Sequence, residues 1–142
     1  MSEDQRNLER ILVELNAYEQ QAQILQRRID LINASLQEIA LTSESLDELK
    51  NIDENNEVLM PLGSGIYVKA RIIERKKVIC SIGADIVVDK DITGAQLSLD
   101  QRSMALQNAL QATGQQLQQT ANKINELNKA AQALASKIKR ET

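Results

Sequence analysis

The chain has 142 residues and a formal net charge of −3; 42% of its side chains are apolar but only 1% are aromatic, with no Phe or Trp to fill a broad globular core. Zero His removes the usual proton-transfer group of neutral pH and the commonest metal ligand, and the single Cys80 excludes an internal disulfide and cannot supply a zinc cluster. These absences argue against an enzyme and against a metal or other cofactor, while the lack of an 18-residue apolar run argues against membrane insertion and predicts a cytoplasmic address.

The N-terminal third predicts one long helix. Neither Gly nor Pro occurs before Pro61, and Ser2 followed by Gln5 has capping-box spacing, so a helix is expected from about residue 4 to about residue 50, within an N-terminal segment 1–52. Stepping alternately by three and four from Leu8 gives Ile11, Leu15, Tyr18, Ala22, Leu25, Ile29, Ile32, Leu36, Ile39, Ser43 and Leu46. Only Ser43 interrupts this stripe, and a repeat of such length argues coiled coil rather than an ordinary amphipathic helix. At a rise of 1.5 Å per residue, an arm of this kind is roughly 65–70 Å long.

A polar run through Lys50, Asn51, Asp53, Glu54, Asn55 and Asn56 ends the helix, and the apolar period then changes to two over residues 57–90. Val58, Leu59 and Met60 lead into Pro61-Leu62-Gly63-Ser64-Gly65, after which Ile66, Val68, Ala70 and Ile72 alternate with Tyr67, Lys69 and Arg71. This pattern predicts a β-hairpin turning near Gly63 and Ser64, with Pro61 at an edge or strand end. Past the charged link Glu74-Arg75-Lys76, a second hairpin is predicted. There Val78, Cys80 and Ile82 share a face, Gly83-Ala84-Asp85 makes the turn, and Ile86, Val87 and Val88 return.

The last segment, 93–140, predicts a second long helix, with Thr93 and Gln96 at capping-box spacing. Its stripe is Leu99, Ser103, Leu106, Leu110, Thr113, Leu117, Thr120, Ile124, Leu127, Ala131, Leu134 and Ile138. Gly114 is its weak point, where a bend or looser pairing is expected. Residues 1–57 carry thirteen acidic against five basic side chains, a net of −8, whereas residues 96–142 sum to +3. Opposite signs favour pairing the two helices with each other, hence an antiparallel hairpin within one chain.

Two short hairpins with open edges and an apolar face are marginal in water, so the middle of the chain is expected to join hairpins of other subunits into a closed or stacked sheet. The residues placed in that contact are Val58, Met60, Pro61, Gly63, Gly65, Ile66, Val68, Ala70 and Ile72 of the first hairpin and Val78, Cys80, Ile82, Gly83, Ile86 and Val88 of the second.

Other motifs carry less. Gly63-Ser64-Gly65 lacks the Gly-Lys-Ser/Thr of a phosphate loop. Asp89 to Gly94 followed by Asp100 imitates part of a calcium loop, but a strand precedes it, Gln96 stands where an apolar residue belongs, and Asp replaces the bidentate Glu, so helix-capping carboxylates explain it better. Cys80 reads as a small buried hydrophobe. The basic end at Lys137, Lys139 and Arg140 is too short for a nucleic-acid footprint in an acidic chain.

The order helix, hairpin, hairpin, helix, with Pro61-Leu62-Gly63-Ser64-Gly65-Ile66-Tyr67-Val68-Lys69-Ala70 in the first hairpin and Val78-Ile79-Cys80-Ser81-Ile82-Gly83-Ala84-Asp85 in the second, resembles the archaeal-type prefoldin alpha subunit family over essentially the whole chain. That family places a second Gly two residues after the position of Gly83, where this chain has Asp85, a residue that tolerates turn geometry.

The resemblance implies an α+β fold: a long antiparallel α-helical coiled-coil hairpin whose two helices are joined by two β-hairpins that assemble into an oligomeric β-barrel hub. It further implies an ATP-independent cochaperone in which two alpha-type and four beta-type subunits join, non-native client polypeptides are held between the coiled-coil tips, and clients pass to a group II chaperonin. No cofactor, metal, nucleic acid or membrane enters that scheme.

Mapped here, the tips are the two termini, and the apolar surface available there is Leu8, Ile11, Leu12, Leu15, Leu127, Ala131, Leu134, Ala135 and Ile138. Seam residues are first of all packing residues, so the expectation is that terminal turns open to offer them in a weak, multi-point grip, with avidity supplied by several rods. The rival expectation is a structural coiled-coil scaffold or adaptor that binds specific folded partners. Such a protein needs an apolar stripe on the outer faces of its rods, which read here as rich in Gln, Asn, Glu and Lys.

Overall fold

A computed structural model describes residues 2–53 and 55–142; Met1 and Glu54, which fall in the first predicted segment and the polar run, lie outside the described residues. The elements are α1 (Glu3–Lys50), β1 (Glu57–Gly63), β2 (Ile66–Arg71), β3 (Lys77–Gly83), β4 (Ile86–Asp91) and α2 (Ile92–Glu141). The chain divides into two compact units, residues 1–35 with 106–142 and residues 36–105.

The capping box at the start of α1 forms reciprocally: the Gln5 backbone N–H donates to Ser2 Oγ at 3.2 Å, and the Ser2 backbone N–H donates to Gln5 Oε1 at 3.1 Å. Two of the orphan donors of the first turn are thereby satisfied.

The first unit is built on the two predicted seams. Leu15, Leu25 and Ile32 of α1 and Leu127 of α2 are buried, and the other apolar seam positions of this unit are half-buried. Each fully buried Leu or Ile contributes about 2 kcal/mol relative to exposure, so the seam rather than helix propensity holds helices of this length in place. Thr113 and Thr120 are buried in the same stripe although they are polar. Thr113 Oγ1 donates to the Ala109 carbonyl at 2.7 Å and Thr120 Oγ1 to the Gln116 carbonyl at 2.9 Å, so neither hydroxyl is left unpaired and each methyl packs as a Val methyl would. Near the ends of the chain, Lys137 Nζ lies 3.3 Å from Asp4 Oδ2, the pairing expected of antiparallel helices with opposite charge. Both side chains are partly solvated, so this pair orients more than it stabilises.

The helix α2 runs unbroken through Gly114, and a Cβ added there would meet nothing within 4 Å. Replacing Gly114 by Ala is therefore expected to stabilise the protein by about 1 kcal/mol. A thermal melt followed by circular dichroism reads this as a midpoint several degrees higher, and an unchanged or lower midpoint counts against it.

In the second unit, Ile39 is buried in the first seam, and Ile92 and Ala95 are buried in the first turn of α2, directly after β4. Gln96 joins the two helices: its Oε1 accepts from Lys50 Nζ at 2.7 Å and its Nε2 donates to Asp47 Oδ1 at 2.7 Å. The capping box expected from Thr93 and Gln96 does not form. The helix begins at Ile92, one residue early, because β4 ends in Asp91 and its Oδ1 accepts the Gly94 backbone N–H at 2.6 Å, which makes Asp91 the N-cap. Strand thus passes into helix with no residue between them. Lys90 Nζ, donating to Ser98 Oγ at 2.7 Å, ties the same strand to the second turn of α2.

The strands form two separate two-stranded antiparallel sheets, β1 with β2 and β3 with β4. Both hairpins share one design. Pro61 pairs with Tyr67 and Gly63 with Ile66, while Ser81 pairs with Val87 and Gly83 with Ile86; in each case one extra residue, Leu62 or Ile82, bulges beside the turn. Gly63 and Gly83 hold φ of 119° and 102°, a region closed to side chains with a Cβ. The corner residues Ser64 and Gly65, and Ala84 and Asp85, all have positive φ, as type I′ turns require. Asp85 at φ 59° takes the place a second glycine would fill, so the turn keeps its type.

Candidate protein-binding surfaces

Strand register sorts the hairpin side chains into faces. In the first hairpin Val58 stands opposite Ala70 and Met60 opposite Val68, so these four share a face with Ile66. In the second, Val78 faces Lys90 and Cys80 faces Val88, on the same side as Ile86. Toward the helices these faces are partly covered: Val58, Ala70, Ile72, Val78, Cys80 and Val88 are half-buried. Toward the turns Met60, Ile66, Val68, Ile82 and Ile86 are exposed, as are Pro61, Gly63, Gly65 and Gly83.

The opposite faces are also apolar, contrary to a hairpin with one apolar side. Leu59 pairs with Lys69 and Pro61 with Tyr67 on the second face of the first hairpin, where Leu59 is 64% and Tyr67 59% exposed. Ile79 (73%) and Val87 occupy the corresponding face of the second hairpin. Each sheet has only two strands, so among the described residues every strand also keeps one edge without a ladder partner. Apolar side chains on two faces and open edges on both sides make a surface that is costly in water and suited to strand pairing with other chains. The signal for the second face is present in the sequence: Leu59, Tyr67, Ile79 and Val87 sit among Lys69, Arg71, Lys77 and Asp89, and the charged neighbours mask them in a one-face reading.

At the chain ends, the predicted client-contact residues fall into three groups. Leu15 and Leu127 are buried in the seam; Leu8, Ile11, Ala131, Leu134 and Ile138 are half-buried; Leu12 and Ala135 are exposed. Val13, beside Leu12, is exposed as well and lies outside the predicted set. Burial therefore fades from Leu15 and Leu127 toward the ends of both helices, and the terminal turns of the seam hold apolar side chains without covering them. The outer face of α1 also departs from the expectation of a uniformly polar surface, because Val13, Ile24 and Leu31 are all exposed there.

Among the described residues, no group of three or more His, Cys, Asp or Glu side chains could hold a metal ion, and no helix is long and apolar enough to cross a membrane. The calcium-like segment is occupied with structural tasks: Asp91 caps α2 and Asp89 stands across from Ile79 in the sheet. Cys80 is half-buried and free.

A family model described as "Prefoldin: Prefoldin subunit" matches residues 18–137. The chain is 32% identical over 134 residues to the prefoldin subunit alpha of Methanobrevibacter smithii, covering 94% of this chain and 91% of that protein. It is 30% identical over 138 residues to the prefoldin subunit alpha of Pyrococcus horikoshii, covering 96% and 93%. Among solved structures, the fold is similar to a chain of the filamentous PFD from Methanocaldococcus jannaschii, with a TM-score of 0.72 and 24% identity over 80% of this chain and 93% of that one. It is also similar to the prefoldin beta subunit from Thermococcus strain KS-1, with a TM-score of 0.57 and 19% identity over 89% and 90%.

Proposed function

This chain belongs to the prefoldin family, and from that membership we propose that it is an alpha-type subunit of a cytoplasmic hetero-oligomeric holdase, which captures unfolded polypeptides without nucleotide and hands them to a group II chaperonin. In this reading the two hairpins build a shared β-barrel hub with beta-type subunits, two alpha with four beta, and the paired ends of α1 and α2 meet the client. Neither capture nor release needs a covalent step, so no catalytic residue is assigned.

Support for client capture comes from the ends of the first unit. The seam is buried at Leu15 and Leu127 but only half-buried at Leu8, Ile11, Leu134 and Ile138, with Leu12, Val13 and Ala135 exposed beside it. Apolar surface held in a terminal helical turn opens at little cost, because the last turns lack part of their hydrogen bonds in any case. Each contact is weak and indifferent to client sequence, and several subunits acting together supply the affinity.

The test mixes the assembled protein with several unrelated chemically denatured proteins in the absence of nucleotide and follows light scattering. Aggregation of all of them is expected to be suppressed. Protection of a single one favours instead an adaptor for specific folded partners.

A further inference from the structure

The seam of α1 does not stop at Leu8. One further step of four lands on Asp4, so the stripe carries a carboxylate at its outermost turn, where the inner positions other than Ser43 are apolar. Asp4 behaves as a seam residue: its side chain is 26% exposed, while the neighbouring Glu3, Gln5 and Arg6 are exposed. A carboxylate at such a position is costly when two helices close over it unless a cation meets it there. Lys137 Nζ, 3.3 Å from Asp4 Oδ2, supplies that cation from near the end of α2, and among the described residues this is the only ion pair between the two helices. Asp4 also suits the first turn of α1, so its charge stays well placed when the pair is broken. The nearby Glu3, Arg6, Lys139, Arg140 and Glu141 are exposed and make no ion pair among the described residues.

We propose that the Asp4–Lys137 pair is a latch on the tip: while it holds, the terminal turns close over Leu8, Ile11, Leu134 and Ile138, and when it breaks those side chains are released to a client. The latch rests on the holdase reading above and adds the two residues that set how much of the grip is open. Both are positioning residues, and neither has to touch the client. The four apolar side chains are half-buried and lie between the pair and the buried seam residues Leu15 and Leu127. The turns that the pair clasps are therefore the ones with apolar surface to release. A partly solvated pair shifts such an equilibrium by a few-fold rather than locking it, which keeps closed and open tips in exchange. An apolar residue at position 4 would instead continue the seam to the chain end.

Hydrogen exchange of the amides from Leu8 to Leu15 and from Leu134 to Ile138, followed by mass spectrometry in the assembled protein, reads opening of the tip. Lys137→Glu sets two carboxylates together and is expected to speed exchange there about threefold, but to leave it nearly unchanged in an Asp4→Asn background, where the carboxylate it repels is gone. A general effect of Glu at a helix end would persist in both backgrounds. Added salt is expected to speed exchange in the native protein and to slow it in Lys137→Glu, because screening weakens attraction in the one and repulsion in the other. At fixed salt, Lys137→Glu is expected to protect unrelated denatured proteins at about half the native concentration, in line with its larger open fraction. Equal effects of Lys137→Glu in the two backgrounds, salt moving exchange the same way in both proteins, or faster exchange without stronger protection each overturn the proposal. Native protein that protects no client removes the holdase reading and the latch's role with it, whereas failure of the latch alone leaves native protection intact, so the two failures are told apart.

Discussion

Combining Leu59→Asp with Val87→Lys is expected to abolish assembly while leaving the hairpins folded. Both native side chains are exposed in the isolated chain, and the new charges are placed to suit their own sheets. The carboxylate introduced at position 59 would stand opposite Lys69, and the ammonium introduced at position 87 would stand opposite Ser81 and two residues from Asp89 on the same face. Net charge does not change, so a general rise in self-repulsion is not introduced. In a sheet shared between subunits each charge would have to leave water to enter an apolar contact, a desolvation cost of several kcal/mol that a neighbouring Lys69 or Asp89 offsets only in part, which lowers association at least about a hundredfold. Native mass measurement in the presence of a beta-type subunit should then find the free chain at 15.8 kDa. A double variant that still co-assembles would remove these faces from the interface.

The second large effect concerns the ends of the helices. Deleting residues 1–11 and 132–142 removes Leu8, Ile11, Leu134, Ala135 and Ile138 while sparing Leu15 and Leu127, which are buried in the seam. The shortened protein is expected to assemble as before, because none of the deleted residues belongs to the strands. Its protection of a denatured client should fall by about tenfold or more, since several weak apolar contacts per subunit are lost at once and avidity multiplies the loss. Scattering assays against two clients of different sequence read the result. Protection at full strength would mean that clients bind elsewhere.

Much of this architecture is written into the apolar spacing. Every position of the two predicted seams, the polar steps Ser43, Ser103, Thr113 and Thr120 included, is buried or half-buried, because the three-four repeat fixes a helix face irrespective of which residue fills it. Both hairpin turns are equally legible, since Gly63 and Gly83 are needed where φ exceeds 100°. The start of α2 is not, because Thr93 and Gln96 make a plausible box in isolation. Tertiary context gives Asp91 the cap and draws Gln96 across to Asp47 and Lys50. The remaining differences share a cause. Alternation implies one apolar and one polar face, which leaves Leu59, Tyr67, Ile79 and Val87 unassigned, and the exposed Ile24 and Leu31 of α1 are hidden by the average polarity of the surface around them. Apolar spacing predicts burial well where the chain covers its own side chains, and it says little about the apolar side chains that the chain leaves exposed.

The two junctions between helix and sheet are unequal. Six residues separate α1 from β1, but β4 becomes α2 at the Asp91–Ile92 bond, braced by the Asp91 cap and the Lys90–Ser98 contact. At that junction no hinge is available: any twist imposed on the second hairpin turns the root of α2 with it, as a crank turns its shaft. Mechanical load applied at the first turns of α2 would thus reach the second hairpin undamped.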